Sequence, residues 1–364
     1  MLDRQRFANI MSYRPVDRIP AYYFGLWDET LTRWKQEGLR DDLPITQQAG
    51  LDDDWELGMW GLHGLSTVRA VFHDPLTVVE ETDSYRIEQQ PSGAITRNSK
   101  LGSSIPQHLK EALEPTWDSW RRFKAALDPD LPERRIDPEK LETKAHELND
   151  QQGTVCLFGG SLYGWARDWM GVEAISMLAY DDPAMYEEII DTQANLYMQV
   201  NEPILQKVQV DFIYIFEDCC GKSGPLFSPD TYRRFYHRYY ERLVRFYKDH
   251  GAKYVLLDSD GCVDPLIGCW LDSGIDIVFP IEVGTWKADP VALRRQYGKR
   301  LRMMGGFDKH LIARGETAVR EELKRLKPLT EEGGFIPMPD HRIPPHCSWE
   351  QFKGYVKVFR EVMG

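Results

Sequence analysis

The sequence predicts a single α/β domain over residues 1–364, a (β/α)8 barrel of the TIM type. Three observations carry this reading. Short, continuously apolar runs recur through the second half, each ending on a polar or glycine-rich tip. A stretch with helical periodicity follows most of them. No GxGxxG or Walker A motif follows any run, which removes the usual signatures of an open, doubly wound sheet. Apolar strands without alternation suit a parallel sheet covered on both faces. A chain of 364 residues can be one such barrel.

The elements follow in order. "IPAYYFGL" (Ile19–Leu26) reads as an N-terminal strand. Residues 65–100 break the rhythm: polar and apolar residues alternate around a Pro-Ser-Gly turn, so β-hairpins inserted in the barrel are expected. "EPTWDSWRRFKAALDPDLPERR" adds a short helix and a proline-rich link, which completes an N-terminal hairpin and helical embellishment. The remaining strands are expected at Thr154–Ser161, Phe212–Cys220, Tyr254–Gly261, Ile275–Glu282, Leu301–Asp308 and Phe335–Asp340. Between them, "SPDTYRRFYHRYYERLVRFYKDHG" places Tyr232, Phe235, Tyr239, Leu243 and Phe246 at steps of three or four. Ser228 or Asp230 can cap its start and Gly251 can end it. "DPVALRRQYGKR" and "TAVREELKRLKPL" behave similarly.

Composition narrows the function classes. Hydrophobic residues make up 42% and charged residues 28%, as in ordinary soluble globular proteins. Net charge is −12 and no Lys/Arg block stands out, which argues against a nucleic-acid or anionic-membrane partner. The six cysteines contain no CxxC pair, and no signal peptide or membrane-length apolar run is seen. Reduced thiols in a cytoplasmic protein are expected.

Catalytic groups of such barrels gather at the C-terminal ends of the strands. The tips here carry Glu217 and Asp218, Asp258 and Asp260, Glu282, Asp308, and finally Asp340, His341 and Arg342 in "FIPMPDHRIPPHC". Carboxylates and an imidazole on separate strands can converge on a cation or divide acid and base roles. The same acids can instead cap helix starts, a reading that stays open for Asp218, Asp308 and Glu282. His341, between an acid and an arginine at a tip, is the stronger functional residue. Aromatic residues Tyr22, Tyr23, Phe24 and Trp27 follow the first strand, and Tyr163, Trp165 and Trp169 follow "CLFGGS". Tyr23, Trp27 and Trp165 are taken as candidate walls of a substrate pocket, and Lys222 as a candidate anion contact. Cys219, Cys220 and Cys262 lie near the tips, where buried inert thiols are expected.

The segments "YRPVDRIPAYYF", "FEDCCGKSGPLFSPDTYRRF", "LLDSDGCVDPLI", "MMGGFDKHLIARG" and "GGFIPMPDHRIPPHCSWEQF" together resemble the uroporphyrinogen decarboxylase-like superfamily. This superfamily includes haem-pathway decarboxylases and zinc-dependent, corrinoid-linked methyltransferases. The arginine-rich R-Q-A-G-R-Y pattern of the decarboxylases corresponds here to "YYFGLWDETL", without arginine from Tyr22 to Leu31, so a porphyrinogen bearing many carboxylates is not the expected substrate. The acid that the family places on the next segment corresponds to one of Asp52, Asp53 and Asp54. The methyltransferase motif H-x-C-G falls on "DSDG", with Asp258 and Asp260 at its ligand positions. The C-terminal ligand position falls on His341. The resemblance therefore implies a methyltransferase that removes a methyl group from a small, methoxy-aromatic type of compound. The methyl would pass to a separate corrinoid protein, and zinc would be held by His341, Asp258, Asp260 and Glu217 as Lewis acid. His341, Asp260, Glu217 and Arg342 are the expected catalytic residues, and a homodimer is implied. Two other readings remain open from sequence: a cofactor-free decarboxylase of a smaller acid, and a non-catalytic ligand-binding barrel.

Overall fold

The computed structural model describes residues 1–54, 62–102 and 106–364, with backbone alone at residues 53 and 54. The chain begins its parallel architecture with β1 (Tyr22–Tyr23) and β2 (Asp53–Asp54), which pair in parallel. An antiparallel sheet of four strands follows: β3 (Thr77–Glu81), β4 (Tyr85–Gln89), β5 (Ile95–Ser99) and β6 (Gln107–Lys110). It occupies the region expected to hold hairpins and starts at Thr77, twelve residues after the expected boundary of 65. Its edge strands β3 and β6 are exposed along their whole length, and β3 carries a bulge between Val78 and Glu80.

The second half builds a parallel sheet of six strands in simple chain order. These are β7 (Cys156–Gly160), β8 (Phe212–Phe216), β11 (Tyr254–Asp258), β12 (Ile277–Ile281), β13 (Arg302–Phe307) and β14 (Phe335–Pro339). Between β8 and β11 lies a small hairpin, β9 (Cys220–Gly221) and β10 (Gly224–Pro225). All six runs predicted as strands in this half are strands, shortened because their polar tips leave the ladder. A parallel bridge between Leu26 and Ile343 places β1 beside β14. The strand order is thus β2, β1, β14, β13, β12, β11, β8, β7. On the remaining side, between β2 and β7, no ladder joins the described residues, although a His63 ring nitrogen bonds the Cys156 carbonyl at 2.6 Å. The expected eight-stranded ring is therefore drawn as six strands in one sheet and two in another.

Helices cover the sheet as their periodicity demands. The tyrosine-rich helix runs through Pro229–Thr231, a π-type turn at Tyr232–Tyr236, and His237–Asp249. Ser228 caps it by accepting from the Thr231 amide at 3.0 Å. The last helix, Trp349–Met363, packs Phe352 against Trp34 of helix Asp28–Gln36 with ring centroids 4.8 Å apart. A reciprocal capping box of Ser348 and Gln351 fixes its start.

Two buried carboxylates fasten the strand ends together. Asp340 accepts from the amides of Val283 and Gly284 at 2.8 Å each and of Lys309 at 3.2 Å, with the Lys309 ammonium at 3.4 Å. It thereby ties the tips that follow β12, β13 and β14. Glu217 accepts from the amides of Leu162, Tyr163 and Gly164 at 2.7, 2.8 and 3.2 Å, and from the Tyr240 hydroxyl. Burial pushes the Glu217 pKa up to about 7 against the opposing pull of those three amides.

Replacing Asp340 with Ala strips three amides and an ammonium of their acceptor, so denaturant unfolding should register a loss of roughly 3 kcal/mol. Asn at this position, which keeps one acceptor oxygen, should lose less. Glu217 binds its proton more tightly folded than unfolded. Its contribution to stability is complete below about pH 4.5, declines as pH rises to about 7, and is level beyond. Glu217→Gln should remove this declining component from a stability–pH curve; a curve with unchanged slope between those limits would show that burial does not hold the proton.

Candidate functional site

The residue that comes forward from the C-terminal tip is His341. Its neighbour Asp340 turns inward as described, and Arg342 lies with its guanidinium carbon 5.4 Å from the Trp27 ring centre. The His341 Nε2 meets Asp260 Oδ2 at 3.2 Å, across 81 residues of sequence. The imidazole is walled on two sides, with its centroid 5.5 Å from Phe24 and 5.8 Å from Trp27. Phe24 in turn meets Phe279 of β12 edge-on at 4.9 Å. A dyad of imidazole and carboxylate therefore stands among aromatic rings at the strand ends.

Local backbone chemistry places Asp260. The tip "DSDG" leaves β11 at Asp258, and Gly261 adopts φ +82°. A Cβ there would lie 2.7 Å from the Cys220 and Gly221 carbonyl oxygens, so only glycine lets this tip pass beneath the β9–β10 hairpin. The Gly261 amide donates to Glu282 at 2.7 Å, and the Thr285 hydroxyl donates to the same carboxyl at 2.9 Å. Asp260 is left with one oxygen on His341 and its Oδ1 buried without a hydrogen-bond partner. That oxygen is an acceptor whose hydrogen-bonding capacity is unused.

Like charges crowd this end of the sheet, and the fold answers by protonation and pairing. Asp258 is buried and accepts from the Tyr214 hydroxyl. Burial, and next the charge of Asp260, drive its pKa well above the usual carboxylate range. A proton on Asp258 spares the site a second fixed negative charge beside Asp260. Glu282 is raised by burial and then by Asp260. Asp218 is raised by burial, while Arg167 opposes the shift through a 2.9 Å ion pair. Asp218 has φ +40°, a left-handed conformation that aspartate tolerates better than most residues.

The structure sorts the residues named from sequence. It brings together His341, Asp260, Trp27 and Arg342. Glu217 is corrected to a structural role, since its oxygens are taken by three amides and Tyr240. Tyr23 is corrected to a core residue: strand alternation turns it toward Phe352, 5.8 Å away, and presents Phe24 to His341 instead. Lys222 is exposed at the turn of the β9–β10 hairpin. Trp165 is buried between Phe158 and Tyr197 and borders a separate cavity of 740 Å³, lined also by Phe72, Trp169, Phe216 and Arg69. Asp308 is a helix cap, accepting from the His310 amide at 2.9 Å. Asp52 is bound to Arg18 and Arg360, and the side chains of Asp53 and Asp54 lie outside the described residues. Burial raises the thiol pKa of Cys219 and Cys262, which suits inert thiols.

The zinc ligand set implied by resemblance does not fit this geometry. Among the described residues no three His, Cys, Asp or Glu side chains gather as donors. Glu217 is committed to amides, and Asp258 to Tyr214, leaving the His341–Asp260 pair. Tyr214 is the contributor that sequence reading passed over, and Phe24, named there only among the aromatics after the first strand, is the one that meets His341. The signal for Tyr214 was a hydroxyl inside the apolar strand "FIYIF", which when buried needs a partner.

Comparison with curated protein sequences gives no match. Among solved structures, this chain is similar to a methyltransferase from Methanosarcina mazei, with 14% identity over 99% of each chain and a TM-score of 0.58. At that identity the likeness speaks for the fold. The family model for uroporphyrinogen decarboxylase (URO-D) matches residues 143–362, from just before β7 to the last helix and including both members of the dyad. The chain belongs to the uroporphyrinogen decarboxylase family.

Proposed function

We propose that this chain is a methyltransferase that demethylates a small methoxy-aromatic compound and delivers the methyl group to a separate corrinoid protein. The observation that carries the reading is the His341–Asp260 pair held at 3.2 Å between the rings of Phe24 and Trp27. The methyltransferase description of the structural neighbour is in keeping with it. The corrinoid, when its carrier docks, supplies the acceptor for the methyl group. Phe24 and Trp27 offer apolar faces on which an aryl ether can lie, and they keep water from the imidazole. Asp260 engages Nε2, which leaves Nδ1 of His341 as the position that exchanges a proton. As the methyl departs without the bonding electron pair, that pair stays on the aryl oxygen, and Nδ1–H delivers the proton that makes it a phenol. Asp260 stabilises the imidazolium before transfer, and solvent reprotonates His341 afterward. General acid catalysis of this kind contributes typically ~10²–10⁴-fold.

A decarboxylase needs several cations to hold carboxylates, but of the three candidates Arg167 is engaged by Asp218 and Asp168 and Arg342 lies over Trp27, which leaves the exposed Lys222. The decisive assay supplies chemically reduced cobalamin as surrogate acceptor with a panel of methoxybenzenes and follows phenol release by chromatography. Phenol should appear only with the reduced acceptor, and His341→Ala or Asp260→Asn should lower kcat by about 10²-fold or more. Carbon dioxide released from an aromatic acid without acceptor would instead establish the decarboxylase. Tight binding with no turnover, insensitive to either substitution, would leave a ligand-binding protein.

A further inference from the structure

A second pair of histidines lies near the strand ends and takes no part in the proposed methyl transfer. His310 belongs to the short helix Lys309–Arg314 after β13, and His346 to the loop after β14. His310 Nδ1 and His346 Nε2 are 3.3 Å apart. The rings are within 9° of parallel, yet their centroids are 5.3 Å apart, so the two imidazoles meet nitrogen edge to nitrogen edge rather than face to face. Two metal–nitrogen bonds of tetrahedral zinc, each ~2.0–2.1 Å, separate their nitrogens by about 3.3–3.4 Å. The observed spacing is that of two imidazoles sharing one cation.

Both supports are rigid. Asp308 fixes the His310 amide, and a Cβ on Gly284 would stand 3.2 Å from His310 Cδ2, so the ring packs closely on that backbone. On the other side, helix Asp28–Gln36 grips the loop that carries His346. Thr30 donates to the Ile343 carbonyl at 2.7 Å, Arg33 to Pro345 at 2.9 Å and Trp34 to Cys347 at 2.9 Å. The Arg33 charge is met by Glu37 at 2.6 Å. His346 is exposed, so a hydrated cation can reach the pair from solvent.

We propose that His310 and His346 form a binding site for one divalent transition cation, distinct from the His341–Asp260 pair. Among the described residues no third His, Cys, Asp or Glu joins them, so water completes the coordination. Imidazole donors select copper, nickel or zinc over magnesium and calcium.

The test uses the full chain, stripped with chelator and titrated with copper(II) chloride near pH 7.5, read by electron paramagnetic resonance and by competition with zinc. The expected result is about one tight equivalent whose spectrum reports two imidazole nitrogens. His310→Ala and His346→Ala should each weaken binding by roughly tenfold or more, as loss of one of two ligands requires, while His341→Ala leaves it intact. Melting curves of the metal-free variants should overlay the parent, so that lost binding is not lost folding. Equal copper binding in all proteins would identify a different surface site and overturn the assignment. Loss in His341→Ala with retention in the other two would move the metal to the dyad and overturn it as well. Absence of binding would leave a simple N–H···N hydrogen bond between the rings.

Discussion

Backbone amides left over at the ends of parallel strands need acceptors, and buried carboxylates supply them. Glu217 serves the turn after β7, Glu282 the tip after β11, and Asp340 the tips after β12 and β13. Each acid comes from one strand end and satisfies the amides of a neighbouring one, so adjacent tips are fastened pairwise around the mouth. Without these links the loops would carry unpaired N–H groups in a dry environment, at a cost comparable to a lost hydrogen bond each. The dyad depends on this fastening. Asp260 sits beside Gly261, whose amide is held by Glu282, and His341 directly follows Asp340.

The same device concentrates negative charge where chemistry is expected. Acids crowd these ends, and most are kept compatible by different means. Asp258 shares a hydrogen bond with Tyr214 and favours its protonated form, Asp218 pairs with Arg167, and Asp340 faces Lys309. Glu217 and Glu282 rest on amides. What is left over is an imidazole–carboxylate pair whose second carboxylate oxygen is buried without a hydrogen-bond partner.

The parallel strands were legible because each is a continuous apolar run bounded by glycine or acid, a pattern that buried burial on both faces enforces. Strand β2 escaped notice because "DD" has none of that character; its place comes from pairing with β1. At the site, sequence could select the tips but not the direction of a side chain. Asp340, His341 and Arg342 are consecutive, yet one caps amides, one joins Asp260, and one covers Trp27. Tyr23 and Phe24 differ by one residue and point to opposite faces, which only the register of β1 decides. Glu217 reads in sequence like any acid at a tip, since the amides that claim it belong to a turn more than fifty residues earlier.

The antiparallel sheet has a consequence for how the molecule behaves among its own copies. Val78 and Val79 are exposed on an edge strand that offers unpaired backbone groups, the kind of surface on which strands of other molecules add and fibrils begin. Here the bulge after Val78 breaks the regular spacing of that edge, and Glu80 and Glu81 put charge directly beside the valines. An incoming strand would have to match an irregular ladder. One extra residue in β3 is thus enough to make this exposed edge a poor template for strand addition.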